Sequence, residues 1–222
     1  MTTRAILFDL DGTLVDTLAD ISDAMNRSLR LHGLGEYPAD AYRTFVGNGA
    51  KVLSRRVTKD CPALAESVRQ EYQRWYQSHS LVRSRPYAGM PETLRALREA
   101  GAILCVLSNK PDADTRLVVS NFFPGIDFAA VRGQLPGVPV KPDPAAALAM
   151  ADELGIAPCD FLYLGDTAVD MTCAVAAGMR PVGALWGFRT TEELTGSGAA
   201  VLLRQPGDLF SLFGKHLDEN KY

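Results

Sequence analysis

Apolar positions along the chain follow two rhythms. Four short runs are apolar at nearly successive positions: Arg4–Asp9, Ala102–Ser108 and Phe161–Asp166, which end in an acid or a hydroxyl, and Pro181–Trp186. Consecutive apolar residues over four to eight positions are the pattern of strands buried on both faces. Each of the last three runs follows a helical stretch closed by glycine: Pro91–Ala100 before Gly101, Pro144–Leu154 before Gly155, and Val169–Ala177 before Gly178. A glycine stop is what a helix end favours, and the alternation of strand with helix predicts an α/β unit, a doubly wound parallel sheet of Rossmann-like type.

Between the first run and the second, from Asp16 to Pro86, the rhythm changes. Leu18, Ile21, Met25 and Leu29 recur at helical spacing, as do Leu64, Val68, Tyr72, Trp75 and Tyr76, and no comparable strand interrupts them. This segment reads as an inserted α-helical cap. The expected division is a core of residues 1–15 and 87–222 and a cap of residues 16–86, which suits a length of 222 better than two full domains would. The aromatic stripe fits the interior of the cap; stacking on a substrate would use the same positions. The polar end, His216–Tyr222, is expected to fray.

Composition narrows the class without naming it. With 47% hydrophobic and 22% charged residues the chain has the make-up of a globular protein, and a net charge of −3 without long runs of one sign predicts no nucleic-acid partner. Cys61, Cys105, Cys159 and Cys173 are scattered with no CxxC pair, which predicts a reducing, cytoplasmic setting. The longest apolar stretch, Ala102–Leu107, is far short of the ~20 residues a membrane-spanning helix needs, so no membrane span or leader is expected. Monomer and homodimer are left open.

The chemistry gathers where the apolar runs end. Asp9 and Asp11 follow the first, Ser108 and Asn109 close the second, and Asp166 and Asp170 follow the third. In open parallel sheets ligands bind beyond the carboxyl ends of the strands, so residues far apart in sequence can share one site there. Carboxylates so crowded repel by about 4 kcal/mol per pair at 4 Å with an effective dielectric near 20, which calls for a cation or for protonation. Hard carboxylate oxygens suit Mg²⁺, whereas His32, His79 and His216 have no zinc-ligand spacing. Lys141, held among prolines in Val140-Lys-Pro-Asp-Pro144, is placed to neutralise a carboxylate and a phosphate oxygen together.

These residues resemble the four motifs of the haloacid dehalogenase-like hydrolases, in order: Asp9-Leu-Asp-Gly-Thr-Leu-Val-Asp16, Leu107-Ser-Asn-Lys110, Lys141-Pro-Asp-Pro144 and Gly165-Asp-Thr-Ala-Val-Asp170. The insertion, with Val46-Gly-Asn-Gly-Ala50, and the later Leu185-Trp-Gly-Phe-Arg189 are similar to the phosphoglycolate phosphatase-like branch. The resemblance implies that Asp9 is the nucleophile that forms an aspartyl phosphate, and that Asp11 protonates the leaving oxygen and then deprotonates water. It implies Mg²⁺ on the Asp9 carboxylate, the Asp11 carbonyl and Asp166, with Asp170 orienting a metal water. Ser108, Asn109 and Lys141 would hold the phosphoryl oxygens. An acid at Asp11 disfavours dehalogenation, since a departing halide needs no proton. The expected activity is a Mg²⁺-dependent phosphatase for a small phosphorylated metabolite, phosphoglycolate foremost. A sugar-phosphate mutase, a pyrophosphatase or nucleotidase, and a non-catalytic phospho-acceptor module remain as alternatives. In the cap, Lys51 and Arg55 stand at i, i+4 after the Gly47-Asn-Gly49 turn, where they either bind a substrate carboxylate on closure or lie on a solvated face.

Overall fold

The computed structural model describes residues 4–214; the expected tail His216–Tyr222 lies outside them. Strand β1 (Ala5–Phe8) leads through the two-residue β2 (Val15–Asp16) into helices α1 (Leu18–Leu31), α2 (Tyr42–Phe45), α3 (Ala50–Val57) and α4 (Ala65–His79), and the chain returns through β3 (Arg85–Pro86). β2 and β3 pair antiparallel, Val15 with Pro86 and Asp16 with Arg85. The two crossings between sheet and helices therefore run side by side. This ribbon lies at the edges of the segment expected to be free of strands; two residues are too few to show a period of two.

The remainder alternates as α5 (Met90–Glu99), β4 (Ile103–Pro111), α6 (Asp112–Phe122), β5 (Ala130–Gln134), α7 (Ala145–Glu153), β6 (Phe161–Gly165), α8 (Ala168–Ala176), β7 (Arg180–Ala184), α9 (Thr191–Gly196), β8 (Val201–Leu203) and α10 (Phe210–Gly214). Six strands form one parallel sheet in the order β5-β4-β1-β6-β7-β8. The expected doubly wound sheet with a helical insertion is what the chain forms.

Every residue of β1 is buried, and its side chains alternate between two cores as strand geometry requires. Ile6 and Phe8 join Leu94 and Leu97 of α5, Leu104, Val106 and Val118 on one face. Ala5 and Leu7 join Cys105, Met150 of α7, Tyr163 and Cys173 of α8 on the other. Burying a Leu- or Phe-sized side chain contributes roughly 1.5–3 kcal/mol, so the centre of the sheet is the most strongly held part of the molecule. A third core lies within the cap: Leu18, Ile21, Met25 and Leu29 of α1 pack on Val68, Tyr72 and Tyr76 of α4, with Phe188 entering from the sheet side.

Because β1 lies between β4 and β6, the ends of those three strands are adjacent. Asp9, Ser108 and Asp166 emerge there together, at the crevice where parallel sheets bind ligands.

Candidate active site

The loop after β1 turns sharply. Gly12, at a φ of 89°, takes a backbone conformation that side chains resist, and a Cβ there would come within 2.3 Å of an Asp166 carboxylate oxygen. The glycine thus admits Asp166 against the loop. Thr13 Oγ1 donates to Asp166 Oδ1 at 3.0 Å, and the Phe188 backbone N–H donates to Oδ2 at 2.8 Å. At the start of α8, Thr167 N–H and Oγ1 donate to Asp170 Oδ2 at 3.1 and 2.6 Å, a capping box that fixes this carboxylate on the first turn.

Lys141 joins the carboxylates. Its Nζ donates at 2.7 Å to Asp9 Oδ1, at 2.7 Å to Asp170 Oδ1 and at 3.0 Å to the Leu107 carbonyl, so all three of its N–H groups are used within a buried site. The loop that carries it is held by Asn109, whose Oδ1 accepts from Lys141 N at 2.9 Å while Nδ2 donates to Lys141 O at 3.0 Å.

The electrostatics follow from burial. Asp9 is pushed up to about 7, first by burial and then by Asp170, against the pull of Lys141. Burial, then Asp170 and Asp9, push Asp166 well above the carboxylate range despite the donors from Phe188 and Thr13. Burial alone would lower Lys141, but Asp170 and Asp9 outweigh it and hold the ammonium well above its ordinary value. Oxygens of Asp9, Asp166 and Asp170 lie within 4.8 Å of one another. Three carboxylates with one ammonium carry an excess of negative charge on hard oxygen donors, which fits Mg²⁺.

Asp11 stands apart from that cluster, on the side facing the cap. Thr17 Oγ1 donates to its Oδ1 at 2.7 Å, and Lys110 Nζ donates to Oδ1 and Oδ2 at 2.9 and 2.8 Å. A cavity of about 40 Å³ lies between sheet and cap, walled by Asp9, Asp11, Ser108, Asn109, Lys110 and Asp114 from below and by Ile21, Leu53, Tyr72 and Tyr76 from above. Of the aromatic stripe, Tyr72 and Tyr76 belong to the cap core, stack on each other at 5.3 Å and line the cavity.

Lys51 and Arg55 take the solvated face that was one of their two expected placements, and the Asn109 side chain sits differently from expectation. Lys51 and Arg55 are exposed and do not line the cavity; α3 presents Ala50 and Leu53 to it instead. The reason is helical phase: Ala50 and Leu53 share one face at i, i+3, and Lys51 is rotated about 100° away from it. Asn109 is near the nucleophile, but both N–H groups of its amide are taken, by Lys141 O and at 3.1 Å by Gly47 O of the cap. Its side chain joins the Lys141 loop to the cap rather than turning to a phosphoryl group.

Leu185–Arg189 acquires a physical account that its sequence did not supply. Trp186 Nε1 donates to Thr13 O at 3.0 Å, and a Cβ at Gly187 would lie 2.2 Å from the Asp166 Cβ. Phe188 holds Asp166 through its N–H and enters the cap core through its ring. Arg189 donates to Val46 O of the cap at 2.7 Å, and Arg43 of the cap donates back to Gly187 O at 3.0 Å. One loop thus touches the carboxylate site and the cap together. Lys110, Thr13 and Phe188 stood within motifs but had no individual role in the sequence reading, and Tyr76 had only its place in the aromatic stripe; the one usable signal was Lys110 standing two residues beyond Ser108.

With this geometry in place, the family pattern of the haloacid dehalogenase-like hydrolases matches residues 6–184, and the chain belongs to that family. It is accordingly an enzyme, in the branch whose curated members include phosphoglycolate phosphatases. The phosphoglycolate phosphatase of Aquifex aeolicus is 33% identical over 97% of this chain and 99% of its own. The N-acetylmuramic acid 6-phosphate phosphatase of Pseudomonas aeruginosa is 31% identical over 98% and 97%. The crystal structure of a predicted phosphoglycolate phosphatase from Haemophilus somnus 129pt superposes with a TM-score of 0.86 at 30% identity, covering 96% of this chain and 99% of that one.

Proposed function

We propose that the chain is a Mg²⁺-dependent phosphatase for a small phosphomonoester that carries a carboxylate, phosphoglycolate foremost, and that it works through an aspartyl phosphate on Asp9. The observation that carries this reading is the buried Asp9–Lys141–Asp170 bridge beside Asp166 at adjoining strand ends. Lys141 aims the Asp9 carboxylate and opposes the rise that burial and Asp170 impose on it, and its charge offsets that of an incoming phosphoryl group. Asp9 attacks phosphorus as the ester P–O bond breaks, and Asp11 gives its proton to the leaving oxygen. Asp11 then takes a proton from the water that attacks the aspartyl phosphate, which frees Asp9 and releases phosphate. Ser108 supplies a hydroxyl to the phosphoryl oxygens. Asp9, Asp166 and the Asp11 carbonyl would hold Mg²⁺, with Asp170 beside them; the ion supplies positive charge to the transferring group.

Residues 16–86 act as the cap over a core of residues 1–15 and 87–222. The relatives named above act on phosphoglycolate and on N-acetylmuramic acid 6-phosphate, both of which carry a carboxylate. The experiment is phosphate release with and without Mg²⁺ from p-nitrophenyl phosphate, phosphoglycolate, hexose phosphates, nucleotides and pyrophosphate. The reading expects Mg²⁺-dependent turnover with phosphoglycolate the best by kcat/KM. A single stoichiometric phosphorylation without turnover would contradict it, as would transfer to a sugar hydroxyl.

A further inference from the structure

We propose that Lys110 receives the carboxylate of the substrate, with the Tyr76 hydroxyl as its companion. This rests on the phosphatase reading and gives the specificity of that site a residue. Among the described residues that wall the cavity Lys110 is the only cation, since Lys141 is spent on Asp9 and Asp170 beneath it and Lys51 and Arg55 point elsewhere.

Lys110 is 6% exposed. An ammonium has three N–H groups, and Lys110 uses two on Asp11, which leaves one without an acceptor in a wall of the cavity. Its Nζ lies 4.7 Å from the centre of the Tyr76 ring. Tyr76 is 1% exposed and its hydroxyl has no hydrogen-bond partner among the described residues. A buried polar group left unpaired costs about 1–3 kcal/mol, so a free N–H and a free O–H on one small cavity are a standing demand for an acceptor.

Position agrees with the chemistry. Ser108 and Lys110 both line the cavity two residues apart at the end of β4. In phosphoglycolate three bonds of roughly 1.5 Å separate phosphorus from the carboxyl carbon, so a phosphoryl group at Ser108 puts the carboxylate within reach of Lys110. Two acids also face this ammonium: Asp11 in contact, and Asp114, buried and lining the cavity, whose carboxylate has no hydrogen bond among the described residues.

The test compares phosphoglycolate with ethyl phosphate, which has a methyl group in place of the carboxylate, on the full chain with Mg²⁺. A charge-assisted hydrogen bond is worth about 1.5–3 kcal/mol, so Lys110→Met should cut the phosphoglycolate-to-ethyl phosphate ratio of kcat/KM by roughly 10- to 100-fold. Lys110→Arg should retain most of that ratio, and Tyr76→Phe, which removes only the hydroxyl, should lower it about fivefold. Lys110→Met also frees Asp11, which lowers turnover of both substrates together and leaves the ratio untouched. A ratio unchanged in Lys110→Met, or unchanged in Tyr76→Phe should the lysine variant not fold, overturns the proposal. A wild-type enzyme that prefers ethyl phosphate would instead overturn the carboxylate-bearing substrate itself, and the inference with it.

Discussion

Replacing Lys141 with Met removes the one positive charge from a site that holds three carboxylates. The native ammonium is 3% exposed and lies 2.7 Å from both Asp9 and Asp170. Two unit charges about 4 Å apart at an effective dielectric near 20 interact by about 4 kcal/mol, and removing one partner of a buried pair typically costs 3–5 kcal/mol. Met fills much of the volume, so the loss reports charge rather than a cavity. The pH dependence then has a definite sign. Asp9 already holds its proton up to about 7 in the folded protein and releases it near 3.9 when unfolded. Over that interval the native state binds more protons than the unfolded state, so metal-free stability falls as pH rises. Without Lys141 the carboxylates hold protons to still higher pH, and the fall is steeper. Urea unfolding in EDTA should give a loss of about 3–5 kcal/mol for Lys141→Met at pH 8 and a clearly smaller one at pH 5.5, with saturating Mg²⁺ recovering part of it. A loss below about 1 kcal/mol at pH 8, or one that does not change with pH, would refute the charge argument.

Gly187→Ala places a methyl group 2.2 Å from the Asp166 Cβ, so either the loop or the carboxylate must shift. We expect a stability loss of roughly 1–3 kcal/mol and a Mg²⁺ half-saturation raised by about tenfold or more; an unchanged Mg²⁺ requirement would mean that the loop does not position Asp166. Mg²⁺ must displace a proton from the site below pH 7, because Asp9 is raised to about 7. Its apparent affinity should therefore weaken by up to about tenfold per pH unit on acidification below that point, with proton release measurable by calorimetry in buffers of different ionisation enthalpy. An affinity flat from pH 5.5 to 8 would contradict the burial of the cluster.

The central strands were legible because burial on both faces leaves an unbroken apolar run, and the run at Ala102–Ser108 marks β4 even though the strand continues to Pro111. α6 and β5 were not legible. β5 reads Ala-Val-Arg-Gly-Gln on an edge of the sheet and is only partly buried, so it carries no strong period, and α6 starts directly at Asp112 with no break after Pro111. The acids of the site were legible from their place after the strands. What the sequence could not show was side-chain direction: that Lys51 turns outward while Lys110 turns inward depends on the phase of α3 and on the course of β4 beyond Leu107. The use of both Asn109 N–H groups is likewise a matter of tertiary contact, since Gly47 and Lys141 approach it from segments far apart in the chain.

The most direct measurement of the central claim is a rapid acid quench during turnover, followed by borohydride reduction and peptide mapping. An acyl phosphate is reduced to the alcohol, so a covalent intermediate on Asp9 converts that position to homoserine. The account predicts homoserine at position 9 in wild type only when substrate and Mg²⁺ are both present, none in Asp9→Asn, and a fall in turnover of roughly 10⁴-fold or more for that variant. Wild-type turnover in Asp9→Asn, or reduction at another carboxylate, would contradict it.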